Sequence, residues 1–337
     1  MPMNPRLLRP TASGFNPRQI AGLQLWLDAS DSSTITTSTG VSEWRDKSAT
    51  KSVWAQATGS DQPATGTATI NGKNVLVFDG FSDSLSATTP LSTSMPLTMF
   101  VVQRIVSRRT FGMTYTAGTT GGHFDIRQET GFGSLQVVAN SATVTAASAT
   151  TDRAGFDDVL SLVFPSTGLN SIFLNGTALP LGAGNFTKPI LTGTHYIGRR
   201  SDGFYANLQV AEIIAYSTLL TTAERQKVEG WLAWRWGLQG QLPTNHPYAY
   251  SFPGFGSQPQ PSNAETLDWI NRVYANGGTV STSTANAVDA FCNAIDAAGI
   301  RDRFYRLNLF AGTGLNAALV PLYRGQSRTG TQFGNTT

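Results

Sequence analysis

The sequence predicts a mainly β protein: an antiparallel two-sheet jelly-roll sandwich followed by a small α-helical module. Three observations carry this. Short runs rich in β-branched and aromatic residues recur from Leu23 to about Asn207, split by Gly, Ser, Thr and Asn; this is the pattern of many short turn-bounded strands. Asn-Gly pairs stand where hairpins must turn, at 71–72 and 175–176. After Thr221 the apolar residues change from strand to helix spacing.

Composition narrows the class further. Charged residues make up 13% of the 337, about half of what a soluble domain usually carries. Lys and Arg number 24 against 21 acids, a net charge of +3, and hydrophobic residues at 40% supply a large core. Disorder is excluded, because disordered chains are charge-rich and poor in aromatics. One cysteine, Cys292, excludes a disulfide scaffold. No apolar run reaches ~18 residues, so no membrane span is expected. No apolar signal segment opens the chain. The basic residues are scattered, so nucleic acid is not expected as a partner. Polarity comes from Ser, Thr, Asn and Gln, a coat common on extracellular or particle-borne β-proteins.

Residues 1–22 hold Pro2, Pro5, Pro10 and Pro17, which bar a stable helix. They carry Arg6, Arg9 and Arg18 and no acid, which leaves the remainder with equal bases and acids. This predicts an extended arm that takes its order from a partner or from the main domain; a disordered tail is the competing reading. The domain of 23–238 follows. Strands are expected at 24–28, 74–78, 97–106, 134–139, 158–164 and 171–174, with a longer one at 206–217. Thr221 to Glu224 (TTAE) is a capping box, opening a helix to about Trp236 with Gly237 behind it. Residues 239–261 read as a Pro/Gly/aromatic linker, with partial packing on the first domain left open. Ser262 to Glu265 is a second capping box, starting a helical module at 262–312 with a further helix from about Thr284. The tail, 313–337, is polar and lacks a core, which predicts a continuation or a partner.

Few residues suggest chemistry. No Gly-x-Ser-x-Gly elbow accompanies His123, His195 or His246. Cys292 falls on an apolar helix face, where a thiol is usually inert. Glycoside hydrolysis needs two carboxylates flanking the bond, and no paired-acid strand motif occurs; an enzyme is not expected. Asp28, Asp31, Asp79 and Asp83 stand at strand–loop boundaries and are candidate calcium ligands; local turn bonds are the favoured alternative. No other cofactor is implied. Trp44, Trp54 and Tyr115 are candidate glycan-stacking rings, with core anchoring as the competing reading. The doublets Arg108-Arg109 and Arg199-Arg200 read as solvated faces.

A series of motifs resembles one family. It runs through GLQLWLDASDSSTI (22–35), VSEWRDKS (41–48), NGKNVLVFDGFSDSL (71–85), YIGRR (196–200), the segment 208–238 and LPTNHPY (242–248). Together these resemble concanavalin A-like lectin or laminin-G-like domains of bacteriophage virion proteins and bacterial surface proteins. The resemblance implies a two-sheet jelly roll with the Glu224 helix packed after the last strand. It implies that Trp26, Asp28, Trp44, Asp46, Phe78, Asp79 and Gly80 are framework residues. The segments 265–278 and 287–312 resemble parts of phage structural proteins.

The resulting expectation is a non-enzymatic virion protein: a tail fibre, tail-associated or head-decorating component. It would bind host-surface glycans or neighbouring virion subunits, with Arg6, Arg9 and Arg18 anchoring it to the particle. A bacterial carbohydrate-binding or adhesion module is the alternative, and a glycan-degrading enzyme a further one. A homo-oligomer is left open, although no coiled-coil heptads occur.

Overall fold

The computed structural model describes residues 15–324 apart from short internal stretches, the longest being 119–123, 129–134, 146–152, 180–191 and 254–260. Contacts divide the chain into two units: Pro17–Ala249, and Met1–Asn16 with Tyr250–Thr337.

The first unit is an antiparallel β-sandwich. Its strands in chain order are β1 (Leu23–Asp28), β2 (Ile35–Thr37), β3 (Val41–Arg45), β4 (Val53–Ala55), β5 (Ala64–Ile70), β6 (Lys73–Asp79), β7 (Leu85–Thr88), β8 (Leu97–Ser107), β9 (Met113–Ala117), β10 (Phe124–Gln128), β11 (Leu135–Ala139), β12 (Ala142–Thr145), β13 (Asp157–Phe164), β14 (Ser171–Leu174), β15 (Thr177–Ala178), β16 (Thr194–Ile197) and β17 (Asn207–Tyr216). One sheet has the order β15-β14-β13-β8-β17-β6-β5, the other β12-β11-β10-β9-β16-β7-β4-β3-β2. Strand β17 is long enough to be shared on one edge. Its start pairs with β6, at Asn207 to Val210, and its end with β1, at Glu212 to Tyr216.

Alternation along the strands decides what faces the core. Leu25, Leu27, Met99, Val101, Ile213 and Ala215 enter the space between the sheets, where Trp44, Trp54, Tyr115 and Ile197 meet them. The intervening residues Trp26, Asp28, Phe100, Glu212, Ile214 and Tyr216 are buried as well. The helix α1 (Thr222–Arg235) accounts for this: Trp231 meets Trp26 edge-on at 5.9 Å, and Arg235 bonds Asp28. Burial on both faces is why Leu97 to Gln103 are buried without a break.

The local signals hold where the backbone needs them. Asn175 and Gly176 have φ of 49° and 79°, the left-handed pair of a type I′ turn. The α1 capping box forms: the Glu224 amide donates to Thr221 Oγ1 at 3.2 Å, and the Thr221 amide to the Glu224 carboxylate at 2.9 Å.

Two flanking segments are held by the first unit. The end of the expected arm takes its order from the main domain: Pro17–Gln19 form a 3-10 turn, Ile20 is buried, and the Tyr216 hydroxyl donates to the Pro17 carbonyl at 3.0 Å. Arg6 and Arg9 lie outside the described residues. Of the linker, residues 239–249 pack on the first unit, because α1 has places for them. Trp234 Nε1 donates to the Tyr248 carbonyl at 2.7 Å, and His246 Nε2 to Glu229 at 3.3 Å. The Tyr248 amide donates to His246 Nδ1, so the ring proton sits on Nε2. Glu229 also pairs with Arg225, whose guanidinium lies 3.6 Å from the Phe173 ring centre. Gly230 is required here, since a Cβ would stand 2.4 Å from Tyr248 Cβ.

The second unit contains α2 (Ala264–Ala275), α3 (Thr282–Ala297), the short β18 (Arg306–Leu307), α4 (Leu315–Ala318) and β19 (Tyr323–Arg324). Trp269, Val273, Val288, Cys292, Ile295 and Leu322 are buried in it. The second capping box does not form. Asn263 caps α2 by accepting the Glu265 amide at 3.0 Å, while Ser262 donates to Asp289 and Glu265 accepts from Arg301. Residues beyond 312 also contribute: Trp269 Nε1 donates to the Val320 carbonyl and Arg272 to those of Pro321 and Leu322. Among the described residues no helix is long and apolar enough to cross a membrane.

Candidate functional site

The three candidate stacking rings are a correction. Trp44, Trp54 and Tyr115 are each 0% exposed, so none presents a face to a sugar. Trp44 and Trp54 pair across β3 and β4, Tyr115 lies 5.7 Å from Trp54, and its hydroxyl bonds His195 Nδ1 at 2.7 Å. These rings fill the sandwich because large apolar surfaces gain most by leaving water.

Of the candidate calcium ligands, Asp31, Asp79 and Asp83 make local turn bonds, the reading favoured from the sequence. Asp79 accepts the amides of Phe81, Ser82 and Asp83, while Asp83 accepts that of Asp79. Burial pushes the Asp83 carboxyl up to about 6. Asp31 caps the 3-10 turn Ser32–Thr34 and pairs with Lys47 at 2.8 Å. Asp28 is held by Lys47 at 2.8 Å and Arg235 at 2.6 Å. Each carboxylate accepts from at least one protein donor, and no group of three or more metal-ligating side chains occurs among the described residues.

Asp28 leads instead to a buried polar cluster around Trp26. In the register of β1 and β17, Asp28 stands opposite Glu212. Glu212 is fully buried and accepts from the Trp26 indole at 2.6 Å, the Trp236 indole at 2.6 Å and Arg235 Nε at 3.1 Å. Arg235 thus bridges the two carboxylates and also reaches Ser30 Oγ at 2.8 Å. Burial pushes Glu212 up to about 7, against the pull of Arg235. Burial works in the same direction on Asp28, but Arg235 and Lys47 outweigh it and hold that carboxyl below its ordinary range. Burial also disfavours the Lys47 ammonium; bonds to Asp28 and Asp31 overcome it and raise its pKa. Both carboxylates are enclosed, and Arg235 joins α1 to the sheet through them.

An open cleft of about 450 Å³ lies directly outside this cluster, within the usual range for ligand sites. Arg18, Lys47 and Lys51 line it together with Ile20, Leu23 and Ser48, and no acid does. Arg18 and Lys47 both lie over the Trp26 ring, at 5.1 and 4.5 Å from its centre, and Arg18 donates to the Lys47 carbonyl at 2.6 Å. The loop carrying the lysines closes on Asp46, which accepts the amides of Trp26 at 2.8 Å, Ser48 at 2.7 Å and Ser52 at 3.3 Å. Lys51 is exposed, has no carboxylate partner among the described residues, and is held at φ 55°. A non-glycine residue in that region is strained, and such strain gathers at functional sites.

Sequence reasoning missed Glu212, Arg235, Lys47 and Lys51 as members of a site. Glu212 left a signal: it is the one acid within the apolar strand run LQVAEIIAY, and a charge there must find a buried partner. Lys47 and Lys51 left none, since two lysines in a polar loop look like any solvated surface.

No protein-family model matches the sequence, and no curated protein sequence matches it. Solved structures do. A sialidase from Trypanosoma rangeli is 15% identical over 61% of this chain and 32% of its own, with a TM-score of 0.43. A domain of a GH43 extracellular arabinanase from Geobacillus stearothermophilus, solved with arabinotriose, is 14% identical over 60% of this chain and 96% of its own, TM-score 0.44. The binding domain of Paraclostridial Mosquitocidal Protein 1 is 9% identical over 64% of this chain and 53% of its own, TM-score 0.46. The chain spans about a third of the sialidase's length. One expectation is corrected here: with proteins titled as a sialidase and an arabinanase among the similar chains, the exclusion of an enzyme does not stand.

Proposed function

We infer that the sandwich unit binds a glycan that carries negative charge, in the cleft between the Pro17–Leu23 segment and the Lys47–Lys51 loop. The observation that carries this is the cleft's lining: three cations, no acid and an aliphatic wall at Ile20 and Leu23. Cations fix an acidic substituent, and aliphatic surface takes the C–H face of a sugar ring. Lys47 is already paired with Asp28 and Asp31, so Lys51 is the cation that meets the ligand. The motif series from residue 22 to 248 supports a setting on a bacteriophage particle, where the unit would face host glycans.

An array of neutral and acidic oligosaccharides tests the reading. The protein binds acidic members, more weakly at high salt, and Lys51→Gly abolishes binding while relaxing the φ 55° strain. Absence of saccharide binding at millimolar ligand, or full binding by Lys51→Gly, would refute it. The same incubations, assayed for released reducing ends, report on hydrolysis. Antibody labelling of purified particles tests the setting, and labelling confined to cells would sink it.

A further inference from the structure

The two arginine doublets, 90 residues apart in sequence, meet at one end of the sandwich. Asn207 pairs with Ser107, next to Arg108-Arg109, and its side chain donates to Ser107 Oγ at 2.9 Å. The Ala206 amide donates to the Gly198 carbonyl at 2.8 Å, and Arg199 bridges to Tyr205. This is the Asn207 end of β17. The cleft lies at the Tyr216 end, roughly 30 Å away at the rise of a strand.

Guanidinium groups lie on rings throughout this end. Arg109 is 4.0 Å from the Phe81 ring centre, Arg153 4.6 Å from Phe156, Arg199 4.8 Å from Tyr196 and Arg200 4.7 Å from Phe204. Phe81 is 70% and Phe156 51% exposed. Acids neutralise three arginines: Asp157 pairs with Arg104, Asp158 with Arg153 and Asp202 with Arg200. Arg109 and Arg199 have no carboxylate partner among the described residues. Arg199 donates to the carbonyls of Arg200 and Ser201, at 3.2 and 3.4 Å.

A stacked guanidinium is oriented and only weakly hydrated, and its edge N–H groups match the oxygens of a phosphate or sulfate bidentately. The nearby hollow, beside Arg109 and Asn207, holds only about 10 Å³, too little for a small ligand. Affinity at such an open surface comes from several weak contacts to one extended molecule. The rings already carry arginines on one face, which favours anion contact over base stacking.

We propose that this end of the sandwich is a second binding surface, for phosphate or sulfate esters strung along a sugar or polyol polymer, with Arg109 and Arg199 as the contacting cations. It is independent of the cleft. The test is titration of the full chain with poly(glycerol phosphate), heparin, neutral dextran and a single-stranded oligonucleotide. Binding to one or both of the first two, and none to dextran, is expected; which of the two binds identifies phosphate or sulfate. Arg109→Gln/Arg199→Gln weakens binding about tenfold or more and reduces the slope of log affinity against log salt by about one to two. Arg109→Lys/Arg199→Lys keeps that slope and loses part of the affinity, all variants being compared in the Lys51→Gly background so that the cleft does not contribute. Unchanged melting of each variant shows that the fold is intact. The proposal is overturned by absent binding to both polymers at low salt, by equal binding of the double Gln variant, or by preference for the oligonucleotide.

Discussion

Removing the buried acceptor at Glu212 tests how α1 is joined to the sheet. Glu212→Ala leaves two buried indole N–H groups, from Trp26 and Trp236, and one guanidinium N–H without their acceptor. An orphaned buried donor costs about 1–3 kcal/mol. Breaking a buried ion pair costs about 3–5 kcal/mol, but Arg235 keeps Asp28 at 2.6 Å and Ser30 at 2.8 Å, so only a fraction of that applies. The total comes to about 4 kcal/mol, with the indoles as its larger part. For a unit of this size each kcal/mol moves the melting temperature by about 2–4 °C, so Glu212→Ala melts about 8–16 °C lower. Glu212→Gln keeps one acceptor oxygen and loses less than half as much. Calorimetry, with urea unfolding as a second measure, reads the difference. A Glu212→Ala protein melting within about 2 °C of the parent would show that the indoles find other partners, and the reasoning would fail.

The same residue gives a pH dependence. Glu212 titrates at about 7 in the fold against an ordinary 4.5, so between those values the folded state holds the extra proton. Its stabilisation is complete below about 4.5 and is lost as pH rises through 7; the difference between parent and Glu212→Gln stability follows this fall, and a flat difference from pH 4 to 8 would contradict it. Gly230→Ala sets a methyl 2.4 Å from Tyr248 Cβ and costs about 1–3 kcal/mol. Urea midpoints read this, and faster amide exchange across 242–249 should accompany it; an unchanged midpoint counts against the docking of that segment. Trp54→Ala costs about 3–5 kcal/mol as a core cavity, whereas Trp54→Phe stays folded and retains saccharide binding. Loss of binding by a normally melting Trp54→Phe would restore that ring as a contact.

Much of the fold was legible in the sequence because its signals are local. β-Branched runs marked the strands, Asn175-Gly176 marked a turn that needs positive φ, and Thr221 with Glu224 marked the start of α1. The second capping box failed for a reason no local pattern shows: Asp289 and Arg301, distant in sequence, took Ser262 and Glu265 as partners. Similarly, 239–249 read as a linker because Pro and Gly mark irregular backbone, while its docking depends on Glu229, Gly230 and Trp234 across a turn of chain.

The site was less legible. Sequence determined that this is a β-sandwich with few charges, and that Trp26, Asp28 and Asp46 belong to one motif series. Tertiary structure decided their roles. Trp44, Trp54 and Tyr115 could face sugar or core, and strand alternation with the second sheet sent them inward. Asp28 could bind a cation or hold a turn, and Lys47 with Arg235 claimed it. The clefts, faces and partnerships of charged residues depend on strand pairing across more than a hundred residues. Hydrophobic pattern and turn chemistry act between neighbours; Coulomb attraction and burial act between whatever the fold brings together.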